Sequence, residues 1–137
     1  MARILAIDYG GKRTGLAVTD PLQIIATGLA TIESRELIPF LKKYFLSETV
    51  ELLIIGLPKN WDDSDTHGTP LVEKAIKLLQ KEFPSMPLKT VDERYTSKMA
   101  KDAMLEMGMK KKDRRIKGNV DIIAATIMLQ EYLQNKQ

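Results

Sequence analysis

Three carboxylates in this 137-residue chain stand where chemistry is easily hosted. Asp8 closes the apolar run Ile4-Leu5-Ala6-Ile7, Glu93 follows the short run Leu88–Asp92, and Asp121 falls at the start of an apolar stretch that opens at Val120. Three acids drawn into one pocket repel each other and are costly unless cations hold them. Two divalent ions about 3.5–4 Å apart relieve that cost, activate a water and stabilise an alkoxide leaving group, which is the arrangement for hydrolysing a phosphodiester. The chain has no Cys and a single His, His67, so a metal site here must be built from oxygen donors, which favours Mg²⁺ or Mn²⁺. Each acid also has a plain reading when taken alone. Asp8 is a turn residue, Glu93 a surface partner for Arg94 or Lys98, and Asp121 a first-turn acid answering a helix dipole. Composition and spacing do not by themselves bring the three together.

The elements that must position these acids can be read from the pattern. Arg3–Asp20 reads as a hairpin, with two apolar β-type runs around a turn carrying Gly10, Gly11, Lys12 and Arg13. Pro21 breaks the second strand, and Gln23–Ile32 reads as a third strand meandering back antiparallel, interrupted by Gly28. Ser34 is placed to cap a helix over Arg35–Leu46, with Pro39 near its start. The continuous apolar run Glu51–Leu57 suits a parallel strand covered on both faces, ended by Pro58.

A polar loop over Lys59–Thr69 follows, in which Asp62 reads as a turn or capping residue, with a secondary metal ligand as the alternative, and His67 as a helix-entry residue. Thr69-Pro70 starts a helix running to about Phe83, with Leu71, Val72, Ala75, Leu78 and Leu79 expected on its core face. Leu88–Asp92 is a further strand, and Thr96 or Ser97 caps a helix to about Met107, closed by Gly108. Asn119 is placed to cap a last helix over Val120–Leu133. The first three strands should form an antiparallel meander and the later ones, alternating with helices, should be parallel. Strand one and the fourth strand are then neighbours, with the last strand beside the fourth. The C-terminal edge of parallel strands is where α/β sheets usually place their sites, which would put Asp8 and Glu93 at one edge.

The bulk numbers bound the answer. A chain of 137 residues fits one domain, 1–137, with a real core, and 44% hydrophobic residues is ordinary for a globular protein. No run approaches the roughly 18–20 apolar residues of a membrane span, and the chain enters a strand at once with no signal-peptide layout. These features, with the absence of Cys, point to a cytoplasmic protein. The net charge of +3 is small, but Lys110, Lys111, Lys112, Arg114, Arg115 and Lys117 form a dense basic run opposed only by Asp113. Such an arm, just ahead of Asp121, could neutralise several phosphates and give salt-dependent, sequence-independent affinity, or it could be a solvated loop. Trp61 and Tyr95 could stack on a base or simply pack.

Four segments resemble the YqgF/RuvX family, described as Holliday junction resolvase-like proteins and as pre-16S ribosomal RNA nucleases. They are Asp8-Tyr9-Gly10-Gly11-Lys12-Arg13-Thr14-Gly15-Leu16-Ala17, Ile55-Gly56-Leu57-Pro58, Asp92-Glu93-Arg94-Tyr95-Thr96-Ser97 and Val120-Asp121-Ile122-Ile123-Ala124-Ala125. The resemblance covers essentially the whole chain. It implies a ribonuclease H-like α/β fold: a mixed five-stranded sheet, an antiparallel three-strand meander followed by parallel strands, with helices on both faces. It also implies that Asp8, Glu93 and Asp121 are the catalytic, metal-binding triad for Mg²⁺ or Mn²⁺. Lys12, Arg13 and Arg94, with the basic run Lys110–Lys117, would contact nucleic acid. The sequence departs from related resolvases at Gly118, where they carry a further acidic or His residue, and in the loop Lys59-Asn60-Trp61-Asp62-Asp63-Ser64, which lacks the family's Gly.

The function expected is metal-dependent phosphodiester hydrolysis in 5′-end processing of precursor 16S rRNA, by a monomer or homodimer without an organic cofactor or membrane attachment. The alternatives are a branched-DNA resolvase and a nucleic-acid-binding module of the same fold. A sugar-kinase-type phosphotransferase also opens on an Asp-containing hairpin, but it needs two such domains around its nucleotide.

Overall fold

The computed structural model describes residues 2–57, 69–92 and 117–135. Five strands are described: β1 (Arg3–Tyr9), β2 (Arg13–Thr19), β3 (Ala26–Glu33), β4 (Val50–Leu57) and β5 (Leu88–Asp92). They form one sheet in the order β3-β2-β1-β4-β5. β1 pairs antiparallel with β2, and β2 with β3, while β4 runs parallel to β1 and β5 parallel to β4. This is the expected mixed sheet, in the strand order that the resemblance implies.

β1 and β4 lie inside the sheet, and their sequences show it. Ile4, Leu5, Ala6 and Ile7 are buried, as are Leu53, Ile54 and Ile55. A strand covered on both faces has no solvent side to mark with polar residues, so it reads as an unbroken apolar run. Side chains alternate between two cores. Leu5, Ile7, Leu16, Val18, Leu53 and Ile55 meet helices α1 (Leu37–Ser47) and α2 (Thr69–Glu82), through Leu37 and Leu41 and through Val72, Ala75 and Leu79. Ile4, Ala6, Ala17, Ala26 and Ile54 meet helix α3 (Lys117–Asn135) through Ala125, Met128 and Leu129. Helices therefore cover both faces.

The α3 face is built from small residues, and this brings the helix close. A side chain on Gly28 would run into Ile122 Cγ2, and one on Gly15 would run into the main chain of Asp121. Opposite Gly28 the β2–β3 register slips between Leu16 and Ala17, which accounts for the break that Gly28 makes in an otherwise β-like run.

Several expectations are corrected. Ser34 does not cap a helix. It begins a short 3₁₀ turn, Ser34–Glu36, α1 starts at Leu37, and neither helical start carries a side-chain cap. β3 starts at Ala26 rather than Gln23, because Asp20 captures the amides of Leu22, Ile24 and Ile25 in the preceding turn. In α2 the core stripe is Val72, Ala75 and Leu79, while Leu71 and Leu78 face outward. Leu71 and Leu78 stand at one margin of the apolar stripe, about 100° around the helix from Val72 and Leu79. α3 begins at Lys117, so Asn119 lies inside the helix and not at its cap. The expected helix from Thr96 to Met107, the polar loop after Pro58 and most of the basic run lie outside the described residues. Among the described residues, no helix is long and apolar enough to cross a membrane.

Candidate metal and phosphate site

The site is organised by register. Asp8 pairs with Gly15 across the β1–β2 ladder, two places beyond Ala6 paired with Ala17. Alternation then puts Asp8 and Gly15 on the α3 face, in line with Ala6 and Ala17. Gly15 has no side chain, and the space is taken by Asp121: a Cβ built on Gly15 would lie 2.9 Å from Asp121 Cβ. Directly opposed residues of an antiparallel pair have Cβ atoms about 5 Å apart, so Asp8 and Asp121 have Cβ atoms within roughly 8 Å. Two residues more than a hundred positions apart in sequence are thus brought to the same stretch of the sheet face by one missing side chain.

The same edge receives β5. Ile7, Ile55 and Thr90 lie abreast in the parallel register, so β5 leaves the sheet at Asp92 on the edge where Asp8 stands. Glu93 and Arg94 follow at once in the sequence and lie outside the described residues, as do Lys110, Lys111, Lys112, Arg114 and Arg115. Lys117 is the first residue of α3.

Asp121 is the fifth residue of its helix, beyond the opening turn, so the plain reading as a first-turn acid loses its ground. Its carboxylate instead accepts a hydrogen bond from Arg13, with Nε 3.3 Å from Oδ2. Arg13 was expected to face phosphate, and its resting partner is a proposed metal ligand. Arg13 opens β2 on the same face as Gly15. With Gly11, exposed Lys12, Glu33 and Arg35 it lines a shallow hollow beside the hairpin. Arg35 is held by Glu33 at 2.6 Å.

The loop that carries Lys12 and Arg13 is fixed from an unexpected side. The Gly10 amide donates to the Arg13 carbonyl at 2.9 Å and closes the turn. Ser34, almost fully buried, gives its amide to the Lys12 carbonyl at 2.9 Å and its hydroxyl to the Gly10 carbonyl, and it meets the Thr14 hydroxyl at 2.8 Å. Sequence reasoning missed this residue as part of the site. A serine at a strand-to-helix junction looks like a cap, and only the β2–β3 pairing brings it under the hairpin.

Asp8 and Asp121 offer hard oxygen donors and two negative charges, a donor set that suits Mg²⁺ or Mn²⁺ better than a softer metal. Among the described residues no three His, Cys, Asp or Glu side chains cluster closely enough to hold a metal ion. A third ligand would have to come from outside them, and Glu93 is the candidate by sequence position.

A family described as "RuvX: Holliday junction resolvase" matches residues 2–135. A relative from Christiangramia forsetii named "Putative pre-16S rRNA nuclease" is 53% identical over 97% of this chain and 98% of its own length. Another of the same name from Flavobacterium psychrophilum is 52% identical over 99% of both chains. Among solved structures, T. thermophilus RuvC in complex with a Holliday junction substrate superposes with a TM-score of 0.57 at 15% identity, covering 98% of this chain and 96% of that one. At that identity the likeness speaks for the fold, which is ribonuclease H-like. Near-complete coverage at about half identity, with a family match from residue 2 to residue 135, leaves one conclusion: the chain belongs to the RuvX family.

Proposed function

We propose that the chain is a nuclease dependent on Mg²⁺ or Mn²⁺, and that it trims the 5′ end of precursor 16S rRNA in the cytoplasm. The observation that carries the reading is the packing of Asp121 against Gly15, the ladder partner of Asp8, at the sheet edge where β5 ends. Converging carboxylates are costly for a pure binding module, because nucleic acid is itself an anion. The relatives named for pre-16S rRNA support the choice of substrate.

In this reading Asp8, Glu93 and Asp121 hold the metal, which when bound supplies an activated water and stabilises the leaving oxygen. The protein's own work is positioning. Lys12 and Arg13, on a turn clamped by Ser34, bind the scissile strand's phosphates and orient the reacting one, and Arg94 with Lys110–Lys117 extends the contact along the backbone. The expected products carry 5′-phosphate and 3′-hydroxyl ends.

A second reading, cleavage of branched DNA, is favoured by the family description and by the RuvC-like fold. Symmetric cutting of a junction needs two active sites, so a monomer in solution would count against it. The deciding experiment incubates the protein with Mg²⁺ or Mn²⁺ and either a precursor 16S rRNA 5′ fragment or a four-way DNA junction, beside Asp8→Asn. Cleavage of the RNA by wild type alone is expected. Cleavage of neither substrate, or equal cleavage by Asp8→Asn, would sink the catalytic reading.

A further inference from the structure

Arg13 occupies the wrong partner for a residue that only binds phosphate. Its Nε lies 3.3 Å from Oδ2 of Asp121, so one oxygen of a proposed metal ligand carries a protein cation. A guanidinium and a divalent ion compete for the same lone pairs, and at that separation they repel. The pair is not sealed in. The side chains of Arg13 and Asp121 are 40% and 24% exposed, which places it among ion pairs that exchange readily with solvent and contribute little to stability. The alternative partner is close at hand. Arg13 lines the hollow beside exposed Lys12, and a phosphate there offers a guanidinium two oxygens in a matching plane. The turn beneath is clamped by Ser34, so exchange requires only the long Arg13 side chain to swing.

We propose that Arg13 is a latch. Without nucleic acid it rests on Asp121 and neutralises that carboxylate. A nucleic-acid phosphate draws it away, and Asp121 is then open to a divalent cation. Metal loading is thereby coupled to substrate binding, and the coupling acts equally in both directions. The latch rests on the reading of Asp8 and Asp121 as metal ligands. Arg13 is a positioning residue in this role, acting through Asp121.

The first test measures Mn²⁺ binding to the full chain without nucleic acid, by the loss of the free-ion electron paramagnetic resonance signal. Arg13→Gln is expected to bind Mn²⁺ about two- to fivefold more tightly than wild type, the range set by releasing a half-exposed ion pair. Arg13→Met repeats the measurement with an apolar stem of similar length, in case the amide disturbs the turn. Asp121→Asn and Asp8→Asn are expected to lose binding. Unchanged or weaker Mn²⁺ binding in both Arg13 variants, with binding still dependent on Asp8 and Asp121, overturns the latch and leaves the metal site standing. Mn²⁺ binding that is absent in wild type, or unchanged in Asp8→Asn, overturns the metal-site reading and the latch with it.

The second test reads the other direction, by fluorescence anisotropy of a labelled RNA spanning the 5′ end of precursor 16S rRNA, in EDTA. Asp121→Asn should tighten RNA binding when Arg13 is present, by releasing it, and do so at least about threefold less in the Arg13→Gln background. Equal tightening in both backgrounds means that only a negative charge was removed, and the latch falls.

Discussion

The main chain of Asp121 sits where a side chain on Gly15 would be. Gly15 is the ladder partner of Asp8, so this one absence sets the distance between the first and last acidic motifs. Gly15→Ala is therefore a test of geometry rather than of backbone freedom. The added methyl meets helix backbone, which cannot rotate away as a side-chain end could. Overpacking of this kind costs about 1–3 kcal/mol. Thermal unfolding should show that loss. Nuclease activity should fall further than stability explains, by about 100-fold, since a displacement near 1 Å at a site has that effect. Wild-type activity in a stably folded Gly15→Ala would show that the spacing of Asp8 and Asp121 does not matter to the reaction.

Ser34 supports the hairpin loop from beneath, where it is almost fully buried. Its removal leaves the Gly10 carbonyl and the buried Thr14 hydroxyl each short of a partner. Ser34→Ala should cost about 1–3 kcal/mol, the penalty for buried polar groups left unsatisfied. Because the loop carries Lys12 and Arg13, KM for nucleic acid should rise while kcat changes less. A fall in kcat at constant KM would place the effect of Ser34 on the chemistry instead of on binding.

The sheet was legible because its signals are local and strong. The unbroken apolar runs of β1 and β4 declare strands buried on both faces, and the turn around Gly10 and Gly11 declares the hairpin. Asp8 could be nominated because it closes such a run. Other features depend on contacts that sequence distance hides. The role of Gly15 depends on α3 lying against it, and the clamp by Ser34 depends on β3 pairing with β2. α3 starts about three residues before the point that Asn119 marks, because Asn119 is a good cap by type and nothing local says that the helix has already begun. The pairing of Arg13 with Asp121 joins two motifs that each looked complete, and neither advertises the other.

Helix α2 separates apolar character from burial. Leu79 is 1% exposed and packed in the core under the sheet, whereas Leu78 is 46% exposed. Leu79→Ala should destabilise by about 2–5 kcal/mol, the range for leucine deletions in a packed core. Leu78→Ala should stay within about 0.5 kcal/mol, as for an exposed position in a helix where alanine is the best former. Denaturant titrations of the two variants decide this. Equal losses would mean that the outward side of α2 is covered by another part of the chain or by a partner.

Asp20 makes stability at the β2–β3 turn depend on pH. Its carboxylate accepts hydrogen bonds from the amides of Ile25 at 2.7 Å, Ile24 at 2.8 Å and Leu22 at 3.1 Å. The Ile25 amide, with those of Ile24 and Leu22, holds its carboxyl below the ordinary value of 3.8. The charged form is thus preferred in the folded state. A group whose folded pKa is lowered adds stability above its unfolded pKa and loses it as pH falls through the folded one. The same three bonds fix the turn in which Gln23 takes a positive φ of 59°, so the loss should be felt as loosening of that turn. Asp20→Asn keeps one carbonyl acceptor but not the charge. Its melting temperature should lie below that of wild type at pH 7, and the gap should start to close as the pH drops to about 4 and continue to narrow below it. A gap that is constant from pH 7 to pH 3 would mean that the shape of the side chain, and not its charge, holds the turn.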